Sequence, residues 1–202
     1  VAFRHIVALV VSLLAAACAP AVDPVTLTAR PPAGGVFVQG AGGVRVVVAA
    51  SDVRSSGRDG IALTRNGEAT GRTAPVAPPG LAAQAGKSAE AGLAERGFQL
   101  AAGGVFLQVD VEAADSDFRS GLLLGEATGR VRLTARVLNA KGRLFHSAGY
   151  AGDFVVPDVA ALAGGGVRQA VDGALSRALG RMLADPELIQ AMIQAGRPAG
   201  SA

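Results

Sequence analysis

VFLQVDVEA (105–113), ATGRVRLTARVLNAKG (127–142) and RLFHSAGYAGDFVV (143–156) carry the same pattern in three successive pieces of chain. In the first, Val105, Leu107, Val109 and Val111 alternate with Phe106, Gln108, Asp110 and Glu112. In the second, Val131, Leu133, Ala135 and Val137 alternate with Arg130, Arg132, Thr134 and Arg136. A period of two belongs to a strand buried on one face only. Asn139-Ala140-Lys141-Gly142 is a turn, so the third piece returns as a partner strand. With the second face left polar, the pattern is that of antiparallel pairing.

Upstream, VRVVVAA (44–50) is a dense β-branched run and reads as a buried strand. Asn66-Gly67 lies between two short extended pieces in GIALTRNGEATG (60–71), the signature of a tight hairpin. Pro78-Pro79-Gly80 opens a helix in which Leu81, Ala85, Ala89 and Leu93 recur every four residues. Gly97 suits the left-handed position after that helix, with Phe98 closing a Schellman motif. Asp115-Ser116-Asp117 reads as a turn; it lacks the spacing of an EF-hand calcium loop.

Downstream, glycines 164–166 break the chain. Val167, Val171, Ala174, Ala178 and Met182, supported by Leu175 and Leu179, then mark a long amphipathic helix. Asp185-Pro186 supplies an N-cap and a first-turn proline for a short last helix ending near Gln194. The expected fold is α+β: an antiparallel sheet with two main helices packed on one face and a short C-terminal helix.

The chain begins VAFRHIVALVVSLLAAACAP. Arg4 and His5 form a thin basic region, Ile6–Leu14 an apolar one, and Ala15–Ala17 the small residues a signal peptidase requires. The apolar run falls short of the ~20 residues that span a bilayer as a helix. Cleavage after Ala17 as an ordinary secretory signal would leave a free thiol in an oxidising compartment, where cysteines are normally paired. Lipid attachment to Cys18, the single cysteine, removes that liability. Leu14-Ala15-Ala16-Ala17-Cys18 resembles a lipobox with its leucine one place early. The expected layout is a signal peptide over 1–17, a lipidated Gly/Pro-rich tether over 18–43 with an edge strand near Val25–Thr28, one domain over 44–196, and a disordered tail over 197–202.

Net charge is +3, with 19 basic and 16 acidic side chains spread along the chain, and Trp is absent. That is no nucleic-acid footprint. Half the residues are hydrophobic, and alanine supplies much of that half, so the core is expected to be built of small side chains. Beyond the leader the one histidine is His146, in a strand, and its neighbour Ser147 points to the opposite face. The glycine-rich GGVFVQGAGG (34–43) lacks the Gly-Lys-Ser/Thr ending of a phosphate loop. No His/Cys cluster has zinc-site spacing, and no cofactor is expected. Asp110 and Glu112 share a strand face suited to acid–base work, but the Arg130, Arg132 and Arg136 stripe offers cross-strand charge pairing as the plainer account.

The lipobox, VRVVVAASDVR (44–54), AGLAERGF (91–98), the three strands and ALGRMLADPELIQAMI (178–193) stand in the order seen in the YajG family of bacterial envelope lipoproteins. The chain resembles that family over nearly its whole length. Asp52 and Arg54 match the family's Asp-x-Arg after the first strand. The long glycine-rich N-terminal segment and the GGG before the long helix depart from the pattern. The resemblance implies an envelope lipoprotein of unknown biochemical role and transfers no catalytic residue.

The expected function is therefore a non-catalytic binding or scaffold protein, held to the periplasmic face of the outer membrane by lipid on Cys18. Ala19, where an aspartate would favour inner-membrane retention, points to the outer membrane. The partner would be an envelope protein reading the polar face of Asp110, Glu112, Arg130, Arg132 and Arg136, all five expected to point outward as solvated charges. The competing reading is an envelope hydrolase or small-ligand-binding protein with an unrecognised pocket.

Overall fold

The computed structural model describes residues 24–30, 35–55, 57–58, 60–121, 124–159 and 164–197. Seven strands make one sheet: β1 Arg45–Asp52, β2 Gly60–Arg65, β3 Glu68–Pro75, β4 Gln99–Leu100, β5 Val105–Arg119, β6 Gly125–Leu138 and β7 Leu144–Val159. Three helices, α1 Leu81–Glu95, α2 Gly164–Ala184 and α3 Pro186–Ala195, complete an α+β fold.

β5 is the spine. On one side it pairs antiparallel with β6, which pairs antiparallel with β7, as the alternation predicts. Its other edge is shared end to end by two strands, both parallel: β1 along Val105–Val111 and β2 along Asp115–Phe118. β3 returns on β2 through Asn66 and Gly67, whose φ values of 51° and 83° suit a type I′ turn. The sheet is thus mixed, antiparallel on one side of the spine and parallel on the other.

One residue resets the pattern within β5. Val111 pairs with Leu133 and Ala113 with Arg132, which leaves Glu112 as a bulge. Below it the core-facing side chains are Val105, Leu107, Val109 and Val111; above it they are Ala114, Ser116 and Phe118. Asp115-Ser116-Asp117 is accordingly strand and not the expected turn, because the bulge keeps the chain paired past Glu112.

The core lies between the sheet and the helices. Leu81, Ala85, Ala89 and Leu93 of α1 are buried. The helix closes with Phe98 N–H to Leu93 O at 3.1 Å and Gly97 N–H to Ala94 O at 3.0 Å, a Schellman motif with Phe98 buried beneath it. Val167, Val171, Ala174, Leu175, Ala178, Leu179 and Met182 of α2 are buried as well. Small residues set the spacing of these layers. A Cβ on Gly129 would lie 2.3 Å from the backbone of Ala170, and one on Gly152 would lie 2.0 Å from Ala174 O. Gly173 in turn receives the ring of Phe154. The asparate N-cap of α3 is in place, with Asp185 Oδ1 accepting from Glu187 N–H at 2.8 Å.

Three expectations are corrected. β1 is half-buried rather than buried: Val46 is fully covered, but the alternate residues face the open side of the sheet. Glycines 164–166 do not break the chain; they form the first turn of α2, where a Cβ on Gly166 would crowd Val159. The segment read as a tether is partly structural. Val25 forms a single bridge with Val76 in place of an edge strand, and Val25, Leu27 and Ala29 are buried. Thr28 N–H donates to Asp172 Oδ1 of α2 at 2.9 Å, while Ala29 O accepts from Ser88 Oγ of α1 at 2.6 Å. Residues 24–30 are therefore a strap fastened to both main helices. Further along, Ala41 in a 3₁₀ turn (Ala41–Gly43) is also buried.

Candidate functional site

All three helices pack on one face of the sheet, and the other face carries the charged residues singled out from the sequence. The strand register sets them in rows: Asp110 opposite Thr134, Ala113 opposite Arg132 and Ala151, and Asp115 opposite Arg130 and Asp153. The five charges do not behave alike. Asp110 is only 2% exposed, against the expectation of a solvated charge. It accepts from Arg136 Nη1 at 2.5 Å, from Gln108 Nε2 at 3.1 Å and from the hydroxyl of Ser51. Ser51 of β1, Arg136 of β6 and Gln108 beside it close over Asp110 although its face is open. Arg136 itself stays 40% exposed.

Glu112 belongs to the bulge and accepts from Thr134 Oγ1 at 2.6 Å. Asp110 and Glu112 are thus committed to different partners, and no shared acid–base pair forms. Arg130 pairs with Asp115 at 3.0 Å. Burial pushes the Asp115 carboxyl above the ordinary carboxylate range, and the nearby Arg130 charge only partly offsets it. Asp117, fully buried, accepts from Thr64 Oγ1 at 2.7 Å and Gly67 N–H at 3.0 Å. Burial would raise its carboxyl, but these bonds outweigh it and hold it below the ordinary range. Asp115 and Asp117 read as a turn in the sequence because nothing there reveals the bulge at Glu112, which keeps the strand going and puts both on the open face; Asp153 of β7 joins that face opposite Arg130. Arg132 is exposed, and its cross-strand partners are Ala113 and Ala151, so no carboxylate lies directly across from it. Around it is a depression of about 210 Å³, below the ~300–1,000 Å³ of small-molecule clefts.

Asp52 and Arg54 form a structural clasp. Arg54, 4% exposed, donates through Nε and Nη2 to the two carboxylate oxygens of Asp52 at 2.9 and 2.6 Å. Its remaining donors reach Gly60 O at 2.7 Å and Arg58 O at 3.1 Å. It thereby ties the end of β1 to the start of β2, where the two strands succeed one another along β5. Burial would raise the Asp52 carboxyl, but the Arg54 guanidinium prevails and holds it low.

His146 and Ser147 do face opposite ways, as their adjacency requires: Ser147 pairs with Arg136 on the open face and His146 with Val137 on the core side. His146 joins a cluster that the sequence did not disclose. Its Nε2 lies 3.7 Å from Asp185 Oδ2 and 3.4 Å from the Tyr150 hydroxyl, which donates to the same Asp185 oxygen at 2.5 Å. Burial first, then the hydrogen bond to Asp185 and its charge, pushes the Tyr150 phenol well above its ordinary value. Burial opposes ionisation of Asp185, but bonds from Tyr150 and from the Glu187 and Leu188 N–H groups hold its carboxyl low. The cluster docks the cap of α3 onto β7. Among the described residues no group of three or more His, Cys, Asp or Glu side chains is placed to hold a metal, and no helix is long and apolar enough to cross a membrane. Cys18 lies outside the described residues.

Residues 31–193 match the family described as "Uncharacterized lipoprotein". The chain belongs to this lipoprotein family. As such it is an envelope lipoprotein. No curated protein sequence matches it. Among solved structures, this lipoprotein is similar to a Xanthomonas campestris protein of the DUF330 family at 19% identity and TM-score 0.51, covering 80% of this chain and 92% of that one. That likeness shows a shared fold. A candidate lipoprotein of Caulobacter crescentus aligns at 17% identity and TM-score 0.43, over 78% of this chain and 96% of that one. A Helicobacter pylori homologue of a neuraminyllactose-binding hemagglutinin aligns at 11% identity and TM-score 0.45, over 84% and 97%.

Proposed function

We propose that this lipoprotein, of YajG type, is anchored through lipid on Cys18 to the periplasmic face of the outer membrane. There it acts as a non-catalytic binding or scaffold protein, and its open sheet face receives an envelope protein. The observation that carries this reading is the strap. Residues 24–30 are fastened between α1 and α2, and the six residue steps from Cys18 to Pro24 span at most about 22 Å when fully extended. The helical side is then the side nearest the anchor, and the charged sheet face is turned away from the membrane. A shallow, charge-patterned face suits a protein partner, whose association such charges steer. Tethering raises the effective concentration toward other membrane-bound components.

The test is photocrosslinking in cells, with the reactive side chain at Arg132 on the open face or at Lys87 on exposed α1. Adducts are expected from the Arg132 position. Cys18→Ser should release the domain from the membrane fraction or block processing, and should lose those adducts. Adducts from Lys87 alone, or a Cys18→Ser protein processed and membrane-bound like the parent, would overturn the proposal.

A further inference from the structure

At the end of the sheet where β1 and β5 begin and β6 turns into β7, four cations converge. Arg45, Lys141, Arg143 and Arg197 line one cleft of about 600 Å³, with Gly103 and Gly104 on its wall and no carboxylate among the lining residues. That volume falls within the ~300–1,000 Å³ typical of small-molecule clefts. All four cations are exposed, and none forms an ion pair among the described residues. Elsewhere Arg54, Arg119, Arg130, Arg136 and Arg177 each have an aspartate within 4.0 Å. Gathering like charges without a counter-charge is unfavourable, and an anion in the cleft relieves it.

The fold presents these cations on a fixed frame. Asn139 Oδ1 accepts the N–H groups of Lys141 and Arg143, both at 3.0 Å, and organises the turn between β6 and β7. Gly104 lets β5 start against β1, since a Cβ there would lie 2.0 Å from Arg45 O. Next along the strands from the cleft, on the open face, runs an apolar row. Strand alternation puts Val47 on the open face with Arg45, and the register continues from Val47 to Phe106, Leu138 and Leu144. Phe106 is 39% and Leu144 52% exposed. A cationic cleft bordered by exposed apolar side chains is complementary to a molecule with an anionic head and a hydrocarbon tail.

We propose that this cleft binds the phosphate-bearing head of a single anionic amphiphile, with its hydrocarbon chain lying along Phe106, Leu138 and Leu144. Guanidinium forks match phosphate oxygens bidentately, and the lysine adds a point charge. The choice of a single molecule over a bilayer surface rests on the proposed anchor, which turns this face away from its own membrane; the ligand chemistry does not depend on it.

The test is calorimetric titration of the full-length chain, purified in a neutral maltoside detergent, with dihexanoyl phosphatidic acid. Dihexanoyl phosphatidylcholine and inorganic phosphate are the comparison probes. Phosphatidic acid should bind at least about tenfold more tightly than either. Lys141→Ser/Arg143→Ser, both exposed positions, should lose at least about tenfold in affinity at an unchanged melting temperature. Phe106→Ser should weaken the amphiphile and leave inorganic phosphate unaffected. Equal binding of inorganic phosphate would mean a plain anion site, and equal binding of phosphatidylcholine would mean the apolar row alone. Either result, or an unaffected double variant, overturns the proposal. Membrane fractionation of Cys18→Ser is a separate readout, so failure of the anchor and failure of the cleft are told apart.

Discussion

Two glycines in β7, three residues apart, should respond to the same substitution in opposite directions. At Gly152 a Cβ would lie 2.0 Å from Ala174 O and 2.6 Å from Ala178 N, both backbone atoms of α2. Neither can swing aside as a flexible side chain would, so the helix must move outward by more than an ångström to restore ordinary contact. That movement loosens Ala174 and Ala178 against the sheet. Overpacking of this kind costs about 1–3 kcal/mol, which for a domain of this size lowers the melting temperature by about 2–12 °C. At Gly149 the nearest atom to a Cβ is Leu133 O at 3.9 Å, an ordinary contact on the open face. Gly149→Ala should therefore be neutral or raise stability by about 0.4–1 kcal/mol through lower entropy of the unfolded chain. Neither glycine has a positive φ, so the comparison isolates packing. Thermal and denaturant unfolding of the two variants provide the assay. A Gly152→Ala protein as stable as the parent would refute the close approach of α2 to β7.

Arg54→Met should cost about 3–5 kcal/mol, because it strands a mostly buried aspartate, and Asp52→Asn in the same chain should recover part of the loss in a double-mutant cycle. A loss within about 0.5 kcal/mol in urea unfolding would mean that the clasp is dispensable. Asp52, Asp117 and Asp185 all have depressed carboxyl values in the folded state. Their contribution is present above the unfolded value near pH ~4 and disappears as pH falls through the lower folded values. Tyr150→Phe should cost about 1.5–3 kcal/mol at pH 7 by removing a bond to a charged group. The gap to the parent should narrow as pH falls below ~4 toward the depressed folded value of Asp185; a gap constant across that range would exclude the Tyr150–Asp185 bond as its source.

What could be read from the sequence was whatever repeats locally. The alternation in β5, β6 and β7, the four-residue recurrence in α1 and the Gly97–Phe98 stop are all encoded within a few residues of where they act. Glu112 shows the limit. One bulged residue shifts the phase of everything after it, and VDVEAADSD offers no large apolar side chain to reveal the shift. The strap had a signal, since Val25, Leu27 and Ala29 alternate with Pro24, Thr26 and Thr28. Flanking prolines and glycines gave the segment the composition of a linker, and only Asp172 and Ser88, far away in sequence, fasten it. The basic cleft lay further still from view. Arg45, Lys141, Arg143 and Arg197 come from three distant parts of the chain, and parallel addition of β1 to β5 is what brings them to one end. Asp110 is the converse case: its strand and face were legible, but its burial depends on Ser51, Gln108 and Arg136 closing over it.

The same small residues that hide the core also decide which surfaces are left for binding. Gly129, Gly152 and Gly173 let α2 lie close against β6 and β7, so the helices cover β1, β5, β6 and β7 on one face and leave the other face bare. β7, at 16 residues, ends the sheet, and a long edge strand ordinarily invites another chain to pair with it. Here α2 guards it. Arg177 Nη1 donates to Asp153 O at 2.8 Å and Arg181 Nη1 to Ala151 O at 2.5 Å. Carbonyls held by the helix arginines are not free to accept an incoming strand, so β-strand addition is opposed along the middle of β7. On this side of the sheet, what is left for a partner to read is side chains: the Arg130–Arg132–Arg136 rows on the open face, or the cationic cleft and apolar row at its end. Close helix packing, edge protection and an open charged face are three consequences of one arrangement, with α2 seated over glycines beside the last strand.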